Sequence, residues 1–434
     1  MVQAVRNAFA LPDLRRKLLI TLGILVIYRM AAHVPVPGVD TEALKNALDP
    51  ATSGGVGQLV GILDLLSGGL VANFSVMAMG VYPYVTASII FSLLQPIIPR
   101  LEEIAKEGEA GRQKLNQYQY YLTIPLAALQ AIGQIRILES SAGQFIQDFG
   151  LNMTGISTIV TMTAGTMFAI WLGELINEQG IGNGLSIVIF GGIVARMPQN
   201  LQSIFVADGF GGLLIYLGIM VVTILVIVVV QEGQRRIPVQ YGKRVRGRKI
   251  YGGQATHIPL RVNTAGMIPL IFAQSILTFP AIVAGFFANP VGMQPNLANH
   301  ISNLFSGQSV WYWPMYFLFV VGFTYFYTDV MVQQQNLPES LQRQGGFIPG
   351  IRPGKRTADY INGVMRRITL VGALFLGAVA VLPGVVGIIR GRPSANTTML
   401  ISAAGLLIVV GVVVDTMRQL EAQLLMRHYE GFIK

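Results

Sequence analysis

Four histidines and no cysteine leave little material for bond chemistry in this chain. His33, His257, His300 and His428 are scattered, with no spacing that would place two of them on one metal. Without cysteine there is no disulfide framework, thiolate nucleophile or sulfur-ligated metal. The run Pro349-Gly350-Ile351-Arg352-Pro353-Gly354-Lys355-Arg356-Thr357 has the look of a phosphate loop. It fails the pattern because the first glycine is misplaced, Arg356 separates Lys355 from Thr357, and Pro353 lacks an N–H donor. Gly180-Ile181-Gly182-Asn183-Gly184 is not a dinucleotide fingerprint either, and reads as a flexible break between two apolar segments. Ion coupling normally needs an acid at membrane depth. Glu174, Asp329 and Asp415 instead fall at the ends of apolar segments, where they can pair or reach the interface.

The elements that must carry these residues are membrane spans. Of 434 residues, 52% are hydrophobic and only 12% charged, against about 25% charged in soluble domains. Residues 262–328 and 65–99 contain no Asp, Glu, Lys or Arg. Either stretch exceeds the ~20 apolar residues that cross a bilayer core. Apolar runs predict ten spans, at 18–34, 73–95, 117–138, 154–175, 184–200, 212–231, 263–287, 312–333, 368–388 and 397–416. Arg15, Arg16 and Lys17 before the first run imitate a signal peptide, but Arg29 interrupts it and Pro35-Val36-Pro37-Gly38 follows. An uncleaved first span is the better reading.

An even number of spans puts both termini on one side, and the basic residues choose that side. All of the 31 Lys and Arg except Arg29, Lys45, Arg136, Arg196, Arg390 and Arg392 then share the side of the N-terminus. The positive-inside rule makes it cytoplasmic, with residues 417–434 as a cytoplasmic tail. A division into halves 1–200 and 212–416 is expected near residues 201–211, without visible sequence repetition.

Two features exceed what a simple bundle needs. Gly57 to Ser67 is apolar but has a helical length of only ~16 Å, too short to span, and Asp64 sits inside it. It reads as an interfacial helix or as a re-entrant stopper hinged at Gly68-Gly69. The cytoplasmic loops 232–262 and 334–367 are long and basic. They serve either topology and anionic lipid, or the docking of a cytosolic polyanion. Arg244, Arg246, Arg248 and Lys249, with Tyr241 and Tyr251 nearby, could contact RNA phosphates and bases.

Five motifs in this order resemble the SecY family of protein-translocon channels. They are Val34-Pro35-Val36-Pro37-Gly38, then Gly80 to Ile90, Gly180 to Ser186, Thr256 to Asn263, and Pro349 to Gly354. The resemblance covers essentially the whole chain. It implies an all-α polytopic fold of ten transmembrane helices in two pseudo-symmetric inverted halves, spans 1–5 and 6–10, plus a short re-entrant plug helix. It maps a hydrophobic pore ring onto Val81, Val85, Leu185, Ile189, Ile271 and Ile408. Such an aliphatic collar gates by dewetting and yields to a passing chain. Leu59, Val60, Ile62, Leu63, Asp64, Leu65 and Leu66 become the plug, and Thr86, Asn183 and Phe279 the lateral gate. Arg248, Lys249 and Arg352 become docking residues for the ribosome or the SecA motor. Implied partners are SecE and SecG, SecA, the ribosome, signal sequences and nascent chains, and membrane lipids. The implied location is the bacterial inner membrane.

On this reading the chain is no enzyme, takes no cofactor, and conducts unfolded polypeptide across the membrane and sideways into lipid. The alternative class, an ion-coupled secondary transporter of a small solute, is motivated by the span count and broken helices.

Overall fold

The structure, a computed structural model, describes residues 11–39, 74–95, 97–142, 152–241, 244–246, 249–251, 255–287, 296–305, 309–335, 337–389 and 397–430. In chain order the helices are α1 (Pro12–Ala31), α2 (Tyr82–Leu94), α3 (Pro99–Lys106), α4 (Glu109–Ala142), α5 (Met153–Gln179) and α6 (Gly184–Glu232). Strands β1 (Gln234–Tyr241), β2 (Arg244–Arg246), β3 (Lys249–Tyr251) and β4 (Ala255–Arg261) follow. Then come α7 (Ile268–Phe287), α8 (Leu297–Phe305), α9 (Tyr312–Gln335), α10 (Leu337–Arg343), β5 (Gly346–Phe347), α11 (Lys355–Ile389) and α12 (Thr397–Glu430). The plug segment lies outside the described residues, as does Arg248.

Every predicted span falls on a helix. Length and apolarity alone qualify Met153–Gln179, Gly209–Glu232, Tyr312–Arg343 and Lys355–Leu382 to cross a membrane. The pair formed by α2 and α3 qualifies as one span broken by a bend of 106°. The chain is an all-α polytopic membrane protein. Its large exposed side chains are those of a lipid-facing surface, as along the second limb of α6, where Val222 (60%), Leu225 (61%) and Val229 (70%) stand clear of the protein.

Local chemistry sets the ends of these helices. Pro12 and Pro99 occupy first-turn positions, where a missing N–H costs no hydrogen bond. Asn183 caps α6 by accepting from Ser186 N at 3.1 Å. In α5 the buried residues Thr158, Met162, Gly165, Thr166, Ala169, Gly173 and Ile176 recur at helical spacing, so one stripe faces the bundle. Gly184 and Gly173 let α5 and α6 touch: a Cβ on Gly184 would stand 1.7 Å from the Gly173 carbonyl oxygen. The long α6 is two helices in sequence, broken at Gly209 (φ 68, ψ −169).

One predicted span differs in form. The segment 73–95 is helical only from Tyr82 onward. Residues 74–81 form turns, with Phe74 at φ 40 and Gly80 at φ 52. The chain just after α1 fastens them: Val36 N donates to Phe74 O (3.1 Å) and Val76 N to Val34 O (2.9 Å). Apolarity marked the span correctly, but these bonds to another segment replace the helical ones.

The helix pairing repeats. In the first five spans α2 packs on α4, α4 on α5, α5 on the first limb of α6, and that limb on α1. In the last five, α7 packs on α9, α9 on α11, α11 on α12, and α12 on the second limb of α6. Second-to-third, third-to-fourth, fourth-to-fifth and fifth-to-first contacts thus occur in both sets. Between the sets, α7 meets α2 and α4.

The basic loops hold structure that the sequence reading left out. β1 and β4 pair antiparallel, from Gln234↔Arg261 to Gln240↔Ala255. β5, from the other loop, joins the opposite edge at Gln240↔Phe347. Ile237, Val239 and Leu260 of the first loop share an apolar core with Leu341 and Ile348 of the second and with Val332, Ile361 and Met365 of α9 and α11. The two loops are therefore one folded unit seated on the ends of α9 and α11.

Candidate functional site

The residues expected to form a pore ring come from four elements. Val81 precedes α2 and Val85 lies one turn on; Leu185 and Ile189 occupy the first turns of α6. Ile271 is in the first turn of α7, and Ile408 is in α12. Val81, Ile189, Ile271 and Ile408 are buried, and Val85 and Leu185 are half-buried. All six belong to the single large apolar cluster that runs through the bundle.

Where α7 meets α2 and α4 the lining turns polar. Tyr82 Oη donates to the Ser275 carbonyl at 3.5 Å, joining α2 to α7. Gln130 Nε2 of α4 donates to Thr86 Oγ1 of α2 at 3.3 Å, and Thr86 Oγ1 donates to Tyr82 O at 3.1 Å. On α7, Gln274, Ser275 and Thr278 are buried, and Thr278 Oγ1 bonds back to Gln274 O at 2.8 Å. Gln130 Oε1, Gln274 Oε1 and Ser275 Oγ have no hydrogen-bond partner among the described residues. A buried polar atom left unpaired costs about 1–3 kcal/mol. Water entering this seam would recover that energy.

The three residues expected at the lateral gate are dispersed. Thr86 lies in the seam itself. Phe279, one position beyond Thr278, is half exposed at the surface of α7. Asn183 is exposed at the cap of α6, and the adjacent Gly182 lies close to Thr416 of α12 and Ile187. Sequence reading missed Tyr82, Gln130, Gln274 and Ser275. A search for charged residues at membrane depth passes over amides, although a glutamine inside a span also needs a partner.

Beside the folded loops a charged network ties them to α12. Arg418 Nη2 pairs with Glu232 Oε1 at 3.0 Å and donates to Gln231 O at 3.2 Å. Asp415 Oδ1 lies 3.8 Å from Arg418 Nη1 and 4.0 Å from Arg261 Nη1. Glu232 and Arg261 flank the β1–β4 hairpin, so α12 grips it at both roots. A second cluster joins three helices: Tyr120 of α4 donates to Glu174 of α5, and its ring stacks on Tyr84 of α2 with centroids 5.5 Å apart.

Of the residues expected to dock partners, Lys249 opens β3 at the tip of the hairpin. Arg352 is exposed on a turn between Gly350 (φ 82) and Gly354 (φ 107), and its carbonyl accepts from Thr357 Oγ1 at 3.0 Å. Ile351 packs beneath it on the shared loop core. The turn that failed as a phosphate loop thus displays the Arg352 guanidinium, with Arg356 exposed just beyond it at the start of α11. Among the described residues no three His, Asp or Glu side chains group to hold a metal.

The sequence profile of the SecY family matches residues 75–417. This chain belongs to the SecY family. Over their full lengths it is 42% identical to the protein translocase subunit SecY of Streptomyces griseus and 41% identical to that of Mycobacterium tuberculosis. Its fold is similar to a structure titled as a protein-conducting channel, with TM-score 0.60, 17% identity and coverage of 93% and 92% of the two chains. It is similarly close to Sec61 in a canine ribosome–channel complex, with TM-score 0.61, 18% identity and coverage of 94% and 92%. SecY membership leaves the small-solute transporter without support. It also gives the bundle a reason to lack catalytic residues, since a conduit makes and breaks no bonds.

Proposed function

We propose that this chain is the protein-conducting channel of a bacterial Sec translocon, passing unfolded polypeptides across the membrane and releasing hydrophobic segments sideways into lipid. The observation that carries the reading is the polar seam. In an otherwise apolar bundle, the contact between the two five-span sets carries Tyr82, Thr86, Gln130 and Ser275, with Gln274 buried beside Ser275 in sequence, several of them with unmet hydrogen-bonding capacity. Spans 1–5 (1–200) and 6–10 (212–416) act as two halves that part at this seam. A hydrophobic signal sequence inserts there, near Thr86 and Phe279, with Asn183 at the cytoplasmic rim.

The six aliphatic residues Val81, Val85, Leu185, Ile189, Ile271 and Ile408 form the constriction, and residues 57–67 close it from outside. The folded loop unit faces the cytoplasm with both termini. Its hairpin tip, with Arg248 and Lys249, meets ribosomal RNA, and Arg352 engages SecA. SecE and SecG complete the membrane complex.

Photo-crosslinking tests the central claim. A signal-bearing nascent chain should crosslink to probes at Thr86 and Gln274, and not to one at Val229 on the lipid-facing limb. Equal yields at all three positions would overturn the gate assignment. Deleting residues 58–67 should raise ion conductance of the reconstituted complex; unchanged conductance removes the plug.

A further inference from the structure

We propose that α8 is a lipid-seated helix that rests its outward face in the interfacial layer of the bilayer, on the side opposite the folded loops. A helix on a protein surface normally turns its apolar stripe inward. In α8 the stripe turns outward. Leu297 (77%), Ile301 (44%) and Leu304 (36%) recur at helical spacing and are exposed, with His300 as the polar member of that face. The half-buried positions 298, 299, 302 and 305 face the protein, and Phe305 packs against the main apolar cluster. Its first turn is closed by the Asn296 carbonyl, which accepts from His300 N at 3.2 Å.

The exposed stripe has apolar neighbours. Phe287 at the end of α7 is 69% exposed, and Val310 and Trp311 before α9 are 74% and 71% exposed. Exposed apolar surface of this extent marks a membrane or protein contact. Lipid fits better than a protein partner. α8 is joined at both ends to spans, which holds it at the membrane surface, and exposed Trp311 is of the residue type that concentrates at headgroup depth. The whole segment 262–328 lacks Asp, Glu, Lys and Arg, so neither α8 nor its flanks offers a charge to pair with a protein partner. The same absence separates α8 from basic interfacial helices, whose binding follows anionic lipid. Seating of α8 is therefore independent of lipid charge and of salt. The inference requires that the chain span a membrane, and does not require that it conduct polypeptide.

The chain has no cysteine, so single labels are clean. Ile301→Cys, Leu297→Cys and Ser302→Cys, each carrying a nitroxide, are reconstituted as the intact complex in phosphatidylcholine vesicles with and without phosphatidylglycerol. Labels at 301 and 297 should relax several-fold more with oxygen than with a water-soluble nickel chelate, equally in both lipids and at high salt. The label at 302 should be immobile and shielded from both. Preference for nickel at 301 would show the face in water and overturn the proposal. Shielding of 301 and 297 from both reagents, or spin–spin broadening between copies, would show a protein covering it and overturn it equally. A shift toward oxygen only with phosphatidylglycerol would refute the charge-independent seating.

Discussion

Gln274→Leu should lock the gate. In the structure Gln274 is 5% exposed on α7, one residue before Ser275, whose carbonyl accepts from Tyr82 of α2, and its Oε1 has no partner among the described residues. Removing an unpaired buried carbonyl relieves about 1–3 kcal/mol in the closed state. Once the seam opens, water or a polar backbone satisfies the glutamine, while a leucine there exposes apolar surface. Both effects favour closure. Taking only the lower figure of about 1 kcal/mol, the closed population rises about five-fold relative to the open one. A strongly hydrophobic signal sequence has binding energy to spare and opens the variant; a marginal one does not. The assay is export of one reporter behind two signals of graded hydrophobicity, at matched levels of folded channel. The ratio of marginal to strong export should fall about five-fold or more. An unchanged or increased ratio would refute the argument that unmet polar atoms bias this seam toward opening.

The contact between α5 and α6 predicts that Gly184→Ala, whose Cβ would stand 1.7 Å from the Gly173 carbonyl oxygen, destabilises the bundle by about 1–3 kcal/mol or more. Gly218→Ala, which meets nothing within 4 Å, should be neutral; thermal inactivation of the purified protein compares the two. Arg418→Ala removes the pairing to Glu232 and Asp415 at the hairpin root. Because Arg418 is about a quarter exposed, the loss should be modest, about 1 kcal/mol, read as faster proteolysis within 234–261 without loss of the spans. Reversing Arg248 and Lys249 to Glu should reduce the salt dependence of ribosome binding by a slope of roughly two. Arg352→Glu should impair SecA-driven export while leaving ribosome affinity unchanged, since its turn and the hairpin tip are separate features of the loop unit; loss of both would merge the two docking roles.

What the sequence could disclose follows from which signals are local. Hydropathy marked all ten spans because each must be apolar over its own length. It misjudged 74–81, where the bonds of Val36 and Val76 run to a segment about 40 residues distant and no periodicity records them. The hairpin did leave a trace, in the alternation of Ile237, Val239 and Tyr241, but the density of arginine and lysine in that loop drew the reading to charge. That the two loops share one core was not visible, since Val239 and Ile348 each look like a lone aliphatic in a polar stretch. The seam was missed for a related reason: its amides are uncharged, and their meaning depends on α7 lying against α2 and α4. The pore ring rested on resemblance alone, as Val, Leu and Ile are ordinary in any span.

Gly184 and Gly209 are both glycines, yet they answer to different demands, and mirror-image chemistry tells them apart. At Gly184 the obstacle is bulk. At Gly209 a side chain would meet nothing within 4 Å, and the obstacle is handedness: φ 68 with ψ −169 is a region that L-residues essentially avoid. Inverted, those angles describe ordinary extended chain. The joint between the two limbs of α6 is therefore a place where the polypeptide reads as if built for one step from the opposite enantiomer. A D-residue introduced at 209 would find its natural conformation there, and every L-substitution would meet strain in the backbone itself.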